Sequence, residues 1–277
     1  MTVSLSAAAL SVLEEGRQAY VCVRSKDGPH VTPELYAWSG GRLWFASAST
    51  TLKTKVLAAR PEVGLLVSVP GRSVVVTGEV QRYDPRSPYA LVCHALELPA
   101  AARAMARFTT RNAPDLLAFV SDTARGRLGS RIPPVRVLFA VRPERAVVLD
   151  RDEVVTEAWG WGDAALAGDG DEAAVEPVPA DAERAVAGLP GPVALPGRWA
   201  VGESQFHVAP GLVGLLPDER EFPISVVTDD YAAPGPAAKS GALARGWASR
   251  ESPESPVVLV DTHRVVKWDG VETRSVS

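Results

Sequence analysis

Cysteine is nearly missing from this chain: Cys22 and Cys93 are the only two in 277 residues. Two thiols cannot build the disulfide framework of a small secreted domain, and with four scattered histidines they offer no zinc-ligand spacing. Cys93 and His94 are neighbours in a stretch read as helical, where adjacent side chains point about 100° apart and do not chelate. No metal site is expected. Long apolar runs are also missing, since none reaches the roughly 18 residues of a membrane-spanning helix. The opening segment MTVSLSAAALSVLEEGRQ has no leading Lys or Arg, and Glu14 and Glu15 follow its apolar part at once, unlike a secretory signal. The expected location is cytoplasmic. Positive charge is not in excess either: 29 Lys and Arg against 33 Asp and Glu leave a net charge of −4. The chain therefore lacks the bulk basic field of a nucleic-acid binder, and neither nucleic acid nor membrane is an expected partner. Phosphate-loop and nucleophile-elbow motifs are absent. GDGDEAA has no strand before it and no Lys-Ser/Thr pair, and no G-x-S-x-G occurs.

What is present fits a globular protein of about two domains, with 46% hydrophobic and 22% charged residues. A short amphipathic helix opens the chain, with Leu5, Ala8, Ala9 and Val12 on one face. Strand signals follow. AYVCVR (19–24) and PHVTPELYAW (29–38) flank an Asp-Gly turn, a strong hairpin signal, and Ser39-Gly40-Gly41 leads into RLWFAS (42–47). TLKTKVLAAR (51–60) has helical spacing and ends at Pro61. VGLLVSV (63–69) and SVVVTGEVQR (73–82) are strands, about 88–128 is helical, and 135–154 reads as a strand pair. Short antiparallel strands with one small helix among them predict a mainly β, α+β fold built on a barrel.

The composition divides the chain into a barrel domain over 1–161, with the helical insertion at about 88–128, then a linker over 162–197 rich in Ala, Gly, Pro and acid, with a helix near 180–188. Residues 198–277 read as a degenerate second copy of the barrel. Three blocks carry this repeat in order. GPHVTPEL (28–35) is set against QFHVAPGL (205–212), pairing His30 with His207. SVVVTGEV is set against SGALARGWAS (240–249), pairing Gly78 with Gly246. VLFAVRPERAVVLDRD is set against VVLVDTHRVVKWDG. Nothing in the second copy answers the TLKTKVLAARP helix.

Together Asp27-Gly28-Pro29, Gly41–Ser47 (GRLWFAS), Thr51–Leu57 (TLKTKVL) up to Pro61-Glu62-Val63, and Val76–Val80 (VTGEV) resemble the flavin-binding split β-barrels related to pyridoxamine 5′-phosphate oxidase. The likeness covers about 5–85 well, 135–155 moderately and 198–277 only as an echo. It implies a cofactor groove between two barrels, which a chain with two copies would supply as an intrachain pseudo-dimer, itself a monomer or a homodimer. With the phosphate-side helix in one copy only, one competent groove per chain is expected.

A flavin phosphate needs hydroxyl and cationic donors at a helix start. Ser47, Ser49, Thr51, Lys53 and Lys55 supply them, although a Ser/Thr cap before two lysines is also what a plain solvated helix looks like. The resemblance assigns these five to phosphate contacts and His30, Val31, Thr32 and Pro33 to the cofactor ring. Lys55 stands where an arginine is common, and Val56 where many relatives carry Asn. Trp44 and Phe45 alternate sides, with core the expectation for both. The implied function is an oxidoreductase acting on a small-molecule substrate, with FMN, or in its place the deazaflavin coenzyme F420, as hydride carrier. No catalytic acid or base is identifiable. The other class left open is a non-catalytic flavin-binding or haem-binding sensor on the same barrel, with His30, His94 or His207 as the axial ligand. The basic C-terminal substrate segment of pyridoxamine phosphate oxidases proper is not found.

Overall fold

The protein is described from a computed structural model covering residues 5–84, 86–87, 95–126, 135–151, 154–161, 178–230, 234, 238–270 and 272–276. Helix α1 (Ala7–Glu15) begins on Ser6, whose Oγ accepts from the Ala9 N–H at 3.2 Å, and it buries Ala9, Val12 and Leu13. Strands β1 (Gln18–Ser25), β2 (Gly28–Ser39) and β3 (Arg42–Ala48) follow as two hairpins. Helix α2 (Leu52–Ala59) then leads to β4 (Glu62–Val69) and β5 (Arg72–Tyr83). The last strands of this half are β6 (Arg136–Leu149) and β7 (Val155–Trp159). The sheet runs β3-β2-β1-β4-β5-β6-β7, and β3 also pairs with β6, closing six strands into an antiparallel barrel. Its interior is apolar: Val21, Val23, Leu65, Val74 and Val76 surround Phe45 and Phe139, whose rings stack at 5.1 Å.

A 3₁₀ turn (Ala95–Glu97) and two helices, α3 (Leu98–Arg111) and α4 (Ala113–Ala124), make up most of the described part of the insertion. Ala101 and Ala104 of α3 cover Trp44 and Tyr83 on the outside of the barrel. Asn112 ties the helix junction down, its Nδ2 donating to the carbonyls of Tyr36 at 3.1 Å and Phe108 at 3.0 Å. Trp44 and Phe45 are thus both core, on opposite sides of β3. Cys93 and His94 lie outside the described residues. Among the described residues no helix is long and apolar enough to cross a membrane.

The second half repeats the architecture. Strands β8 (Glu183–Leu189), β9 (Val193–Ala200), β10 (Gln205–Val208), β11 (Glu221–Asp230), β12 (Ser240–Ser249), β13 (Val257–Asp269) and β14 (Glu272–Val276) form a sheet ordered β10-β9-β8-β11-β12-β13-β14, closed by β10–β13. The molecule is therefore a split barrel and its duplicated second copy. Residues 183–197, which composition reads as linker and partly as helix, are strands of this copy. Their small residues, buried on both faces, show no alternation. The strand pair expected over 135–154 is instead one 14-residue strand, β6, bulged at Glu144, and its partner β7 begins only at Val155.

Strand pairing fixes which residues correspond. Both barrels carry the same bulge, at Glu144 of β6 opposite Thr77 and Gly78 and at His263 of β13 opposite Arg245 and Gly246. A Cβ on Gly78 would stand 2.0 Å from the Arg142 carbonyl, and one on Gly246 2.1 Å from that of Asp261, so the Gly78–Gly246 match is a structural one. The match of β6 with β13 also stands. The match of His30 with His207 does not: β2 corresponds to β9 and β3 to β10, so Pro33 answers Pro196 and Phe45 answers Phe206. His30 then answers Val193, and His207 answers Ala46. His-Val-x-Pro recurs at 207–210 by coincidence, on a strand that turns into a short 3₁₀ helix (Pro210–Leu215) where the first copy has α2.

The barrels share one apolar seam. Cys22, Val31, Leu66 and Val75 pack into the same cluster as Ala187, Leu189, Val226 and Val227. At its centre equivalent positions meet: Cys22 pairs with Gly64 as Gly188 pairs with Ser225, and a Cβ on Gly188 would lie 3.0 Å from Cys22 Sγ. Burial pushes the Cys22 thiol up to about 12, so it packs here as a small apolar group.

Candidate functional site

In the first barrel β2 pairs with β3 only from Tyr36 to Ser39, against Phe45 to Arg42. Between Gly28 and Leu35 it pairs with β1 alone, while Ala46–Ala48 of β3 pair with β6. The barrel is split here, leaving one edge of β2 without a strand partner among the described residues. Such an edge presents backbone donors and acceptors. Period-2 alternation places His30, Thr32 and Glu34 on one face of this segment.

Helix α2 closes the far side of the split. Thr51 is its N-cap: Oγ1 accepts from the Thr54 N–H at 3.3 Å and donates to the Ala48 carbonyl at 3.0 Å. Ser47 Oγ lies 3.2 Å from Thr51 Oγ1 and 3.4 Å from Glu34 Oε1. Lys53, only 3% exposed, points inward from the first turn and forms an ion pair with Glu34. The hydroxyls and the ammonium therefore converge on the gap where β2 and β3 part.

The second barrel completes the site. Arg245 donates from a guanidinium nitrogen to His30 Nδ1 at 2.6 Å. Arginine only donates, so Nδ1 is the lone-pair nitrogen and the neutral ring carries its proton on Nε2. Burial, reinforced by the charges of Arg245 and Lys53, pulls His30 down to about 3. Its ring is thus neutral across the physiological range, with an Nε2–H to offer. Burial and Arg264 also draw the Arg245 guanidinium below the usual arginine range, with Asp27 opposing. Two buried polar atoms here have no partner, Thr32 Oγ1 and Arg245 Nε.

Of the predicted residues, His30, Thr32, Ser47, Thr51 and Lys53 come together around the split. Val31 does not present its side chain, which is wholly buried in the seam between the barrels. Pro33 and Ser49 are half-buried, and Lys55 projects outward on the exposed side of α2. Sequence reasoning missed Glu34 and Arg245. Glu34 carried a signal, since it lies four residues after His30 on one strand face. Arg245 carried only its place beside the bulge glycine. His207 is elsewhere, on β10, with Nε2 3.1 Å from Gln205 Oε1.

No family model matches the chain, and no curated protein matches it. Its fold neighbours among solved structures are FAD- or FMN-binding, pyridoxamine 5′-phosphate oxidase-like, NimC/NimA and F420 reductase proteins. A FAD-binding protein from Mesorhizobium loti is 21% identical over 52% of this chain and 94% of its own, with a TM-score of 0.36. A pyridoxamine 5′-phosphate oxidase-related, FMN-binding protein from Nostoc punctiforme is 14% identical over 53% and 87%, with a TM-score of 0.39. An F420 reductase is 20% identical over 51% and 98%, with a TM-score of 0.32.

Proposed function

We propose that the chain binds a flavin-type cofactor, FMN or alternatively F420, in the split of its first barrel, and uses it as an oxidoreductase on a small molecule. The observation that carries this is the convergence of Ser47, Thr51, Lys53, Glu34 and His30 on one gap, faced across the seam by Arg245. On this reading the two barrels act as an intrachain pseudo-dimer, and Arg245 is the second barrel's contribution to the groove. The residues fit such a group. The orphaned Thr32 Oγ1 and Arg245 Nε, the His30 Nε2–H and the free β2 edge suit the heteroatoms of a planar ring. Ser47, Thr51 and Lys53, with Ser49 and Lys55 further out, suit a phosphate. Val31 contributes backbone only. When bound, the cofactor would supply hydride transfer. The chain's part is to orient it, to exclude water along the seam and to hold a neutral donor at His30. Haem ligation through His30 would need a lone pair on Nε2, which this tautomer lacks.

Titration of the purified chain with FMN and with F420, followed by cofactor fluorescence, tests the proposal. Saturable binding is expected, weakened at least tenfold by Lys53→Ala and by Arg245→Ala. Failure of both cofactors to bind, or a Soret band in the purified protein, would overturn it.

A further inference from the structure

Away from this split, at the other end of the seam, lies a cavity of about 580 Å³ that both barrels line. The first barrel brings Tyr20, Leu66, the β4–β5 turn and Arg151, while the second brings Arg184, Val186, Pro196, Val227 and Asp229. Leu66, Val186, Pro196 and Val227 give its wall an apolar part, and Arg72, Arg151 and Arg184 line it together with Asp150. Arg151 lies across the turn at Gly71, its Nε 3.4 Å from where a Cβ would stand there. No ion pair holds Arg151 or Arg184 among the described residues, and both are exposed at the mouth. Deeper in, Tyr20 Oη of one barrel donates to Asp229 Oδ1 of the other at 2.6 Å. Asp229 Oδ2 is buried without a partner. A buried, unsatisfied carboxylate oxygen on a cavity wall is a vacancy for a ligand donor.

We propose that this cavity binds an amphipathic organic anion: a molecule with an acidic group for Arg151 and Arg184, a flat apolar body for the wall of Leu66, Val186 and Val227, and an N–H or O–H for Asp229. Carboxylate, sulfonate and phosphate share the chemistry the two guanidiniums recognise, and the apolar part of the wall excludes simple inorganic ions as full occupants. None of the residues of the split is used, so the site stands or falls independently of the flavin reading.

The test uses 8-anilinonaphthalene-1-sulfonate, which carries a sulfonate, an aromatic body and an N–H, titrated into the full chain and read by fluorescence. One saturable site is expected. The double variant Arg151→Glu/Arg184→Glu should weaken it at least tenfold with an unchanged circular dichroism spectrum, whereas Arg151→Lys/Arg184→Lys should retain most of it. Val227→Trp, which fills the cavity, should abolish it. Lys53→Ala should leave it unchanged. No saturable binding, binding indifferent to charge reversal and to Val227→Trp, or loss of the probe in Lys53→Ala would each overturn the proposal, the last by placing the probe in the split.

Discussion

The two barrels share a backbone plan, and the difference that shapes the candidate site is the seam between their second and third strands. In the second barrel that seam is zipped two pairs further: His207 pairs with Arg198 and Val208 with Gly197. The corresponding positions in the first barrel, Leu35 with Ala46 and Glu34 with Ser47, are not paired, and there side chains bridge the gap instead. Gly197 shows why the second barrel cannot copy the first. A Cβ there would stand 2.4 Å from the His207 carbonyl and 2.5 Å from the Phe206 ring, leaving no room for anything like Glu34. The residues that hold the barrel are alike in both copies (Pro33 and Pro196, Phe45 and Phe206, Gly78 and Gly246). The polar ones are not: His30, Thr32 and Glu34 face Val193, Leu195 and Gly197. A buried polar group needs a partner or a ligand to offset its desolvation, so a copy relieved of binding is more stable with apolar residues and a closed edge. On the proposed reading, that asymmetry leaves one groove per chain.

The comparison breaks most readily at what is common to both copies. Gly78→Ala and Gly246→Ala each push a methyl to about 2 Å from a carbonyl oxygen across the bulge. Each should destabilise by roughly 3 kcal/mol or more in urea unfolding, because backbone rather than a flexible side chain must move. A neutral Gly246→Ala would mean that the second bulge is ornamental and the likeness only approximate.

Next in size is the feature found in one copy only. Lys53→Ala leaves Glu34 in the split without its cation, and removing one member of a largely buried pair costs about 3 kcal/mol. The paired replacement Lys53→Met/Glu34→Leu should recover most of that loss in thermal melts while flavin binding stays lost. If single and double variants melt alike, the pair does not hold the split.

Much of this was legible in the chain itself. The Asp-Gly hairpin, the α2 start and the bulge glycines carry their meaning locally, through turn chemistry, capping and backbone crowding. The strands β8 and β9 did not. ERAVAGL and VALPGRWA lie between their own barrel and the first, so most residues are buried on both faces, and no alternation marks them as strands. Lys53 was legible as a cation at a helix start, but its ion pair was not, because Glu34 on a half-exposed strand looks like any solvated acid. Arg245 reaches His30 only through the packing of one barrel on the other, which no local pattern encodes.

His30 and Asp229 carry the comparison to the two ends of the seam, where acid should act in opposite directions. An unfolded imidazole takes up a proton near pH 6.5, whereas His30 does so only near 3. Between these values the unfolded chain binds more protons, so this contribution to stability is lost as pH falls below about 6.5. His30→Gln should flatten the acid limb of a stability–pH curve by about 2–3 kcal/mol between pH 7 and 4. An unchanged limb would mean that His30 protonates freely and that Arg245 does not set its tautomer.

Asp229 is smaller in effect and opposite in sign. Burial raises its carboxyl to about 6, against the opposing influence of the Tyr20 hydroxyl and of Lys239, with Asp230 adding to the rise. The unfolded carboxyl titrates near 4, so between about pH 4 and 6 the folded chain holds the extra proton. Stability from this group therefore falls as pH rises through that window, and the deficit persists above it. Asp229→Asn keeps an acceptor for Tyr20 and removes the buried charge. The variant should be more stable by about 2 kcal/mol at pH 7, with the gain fading as pH falls from about 6 to 4 and gone below that. Denaturant midpoints of the two proteins across this range decide the matter: a gain that grows on acidification, or none at neutral pH, would show that water already reaches Asp229.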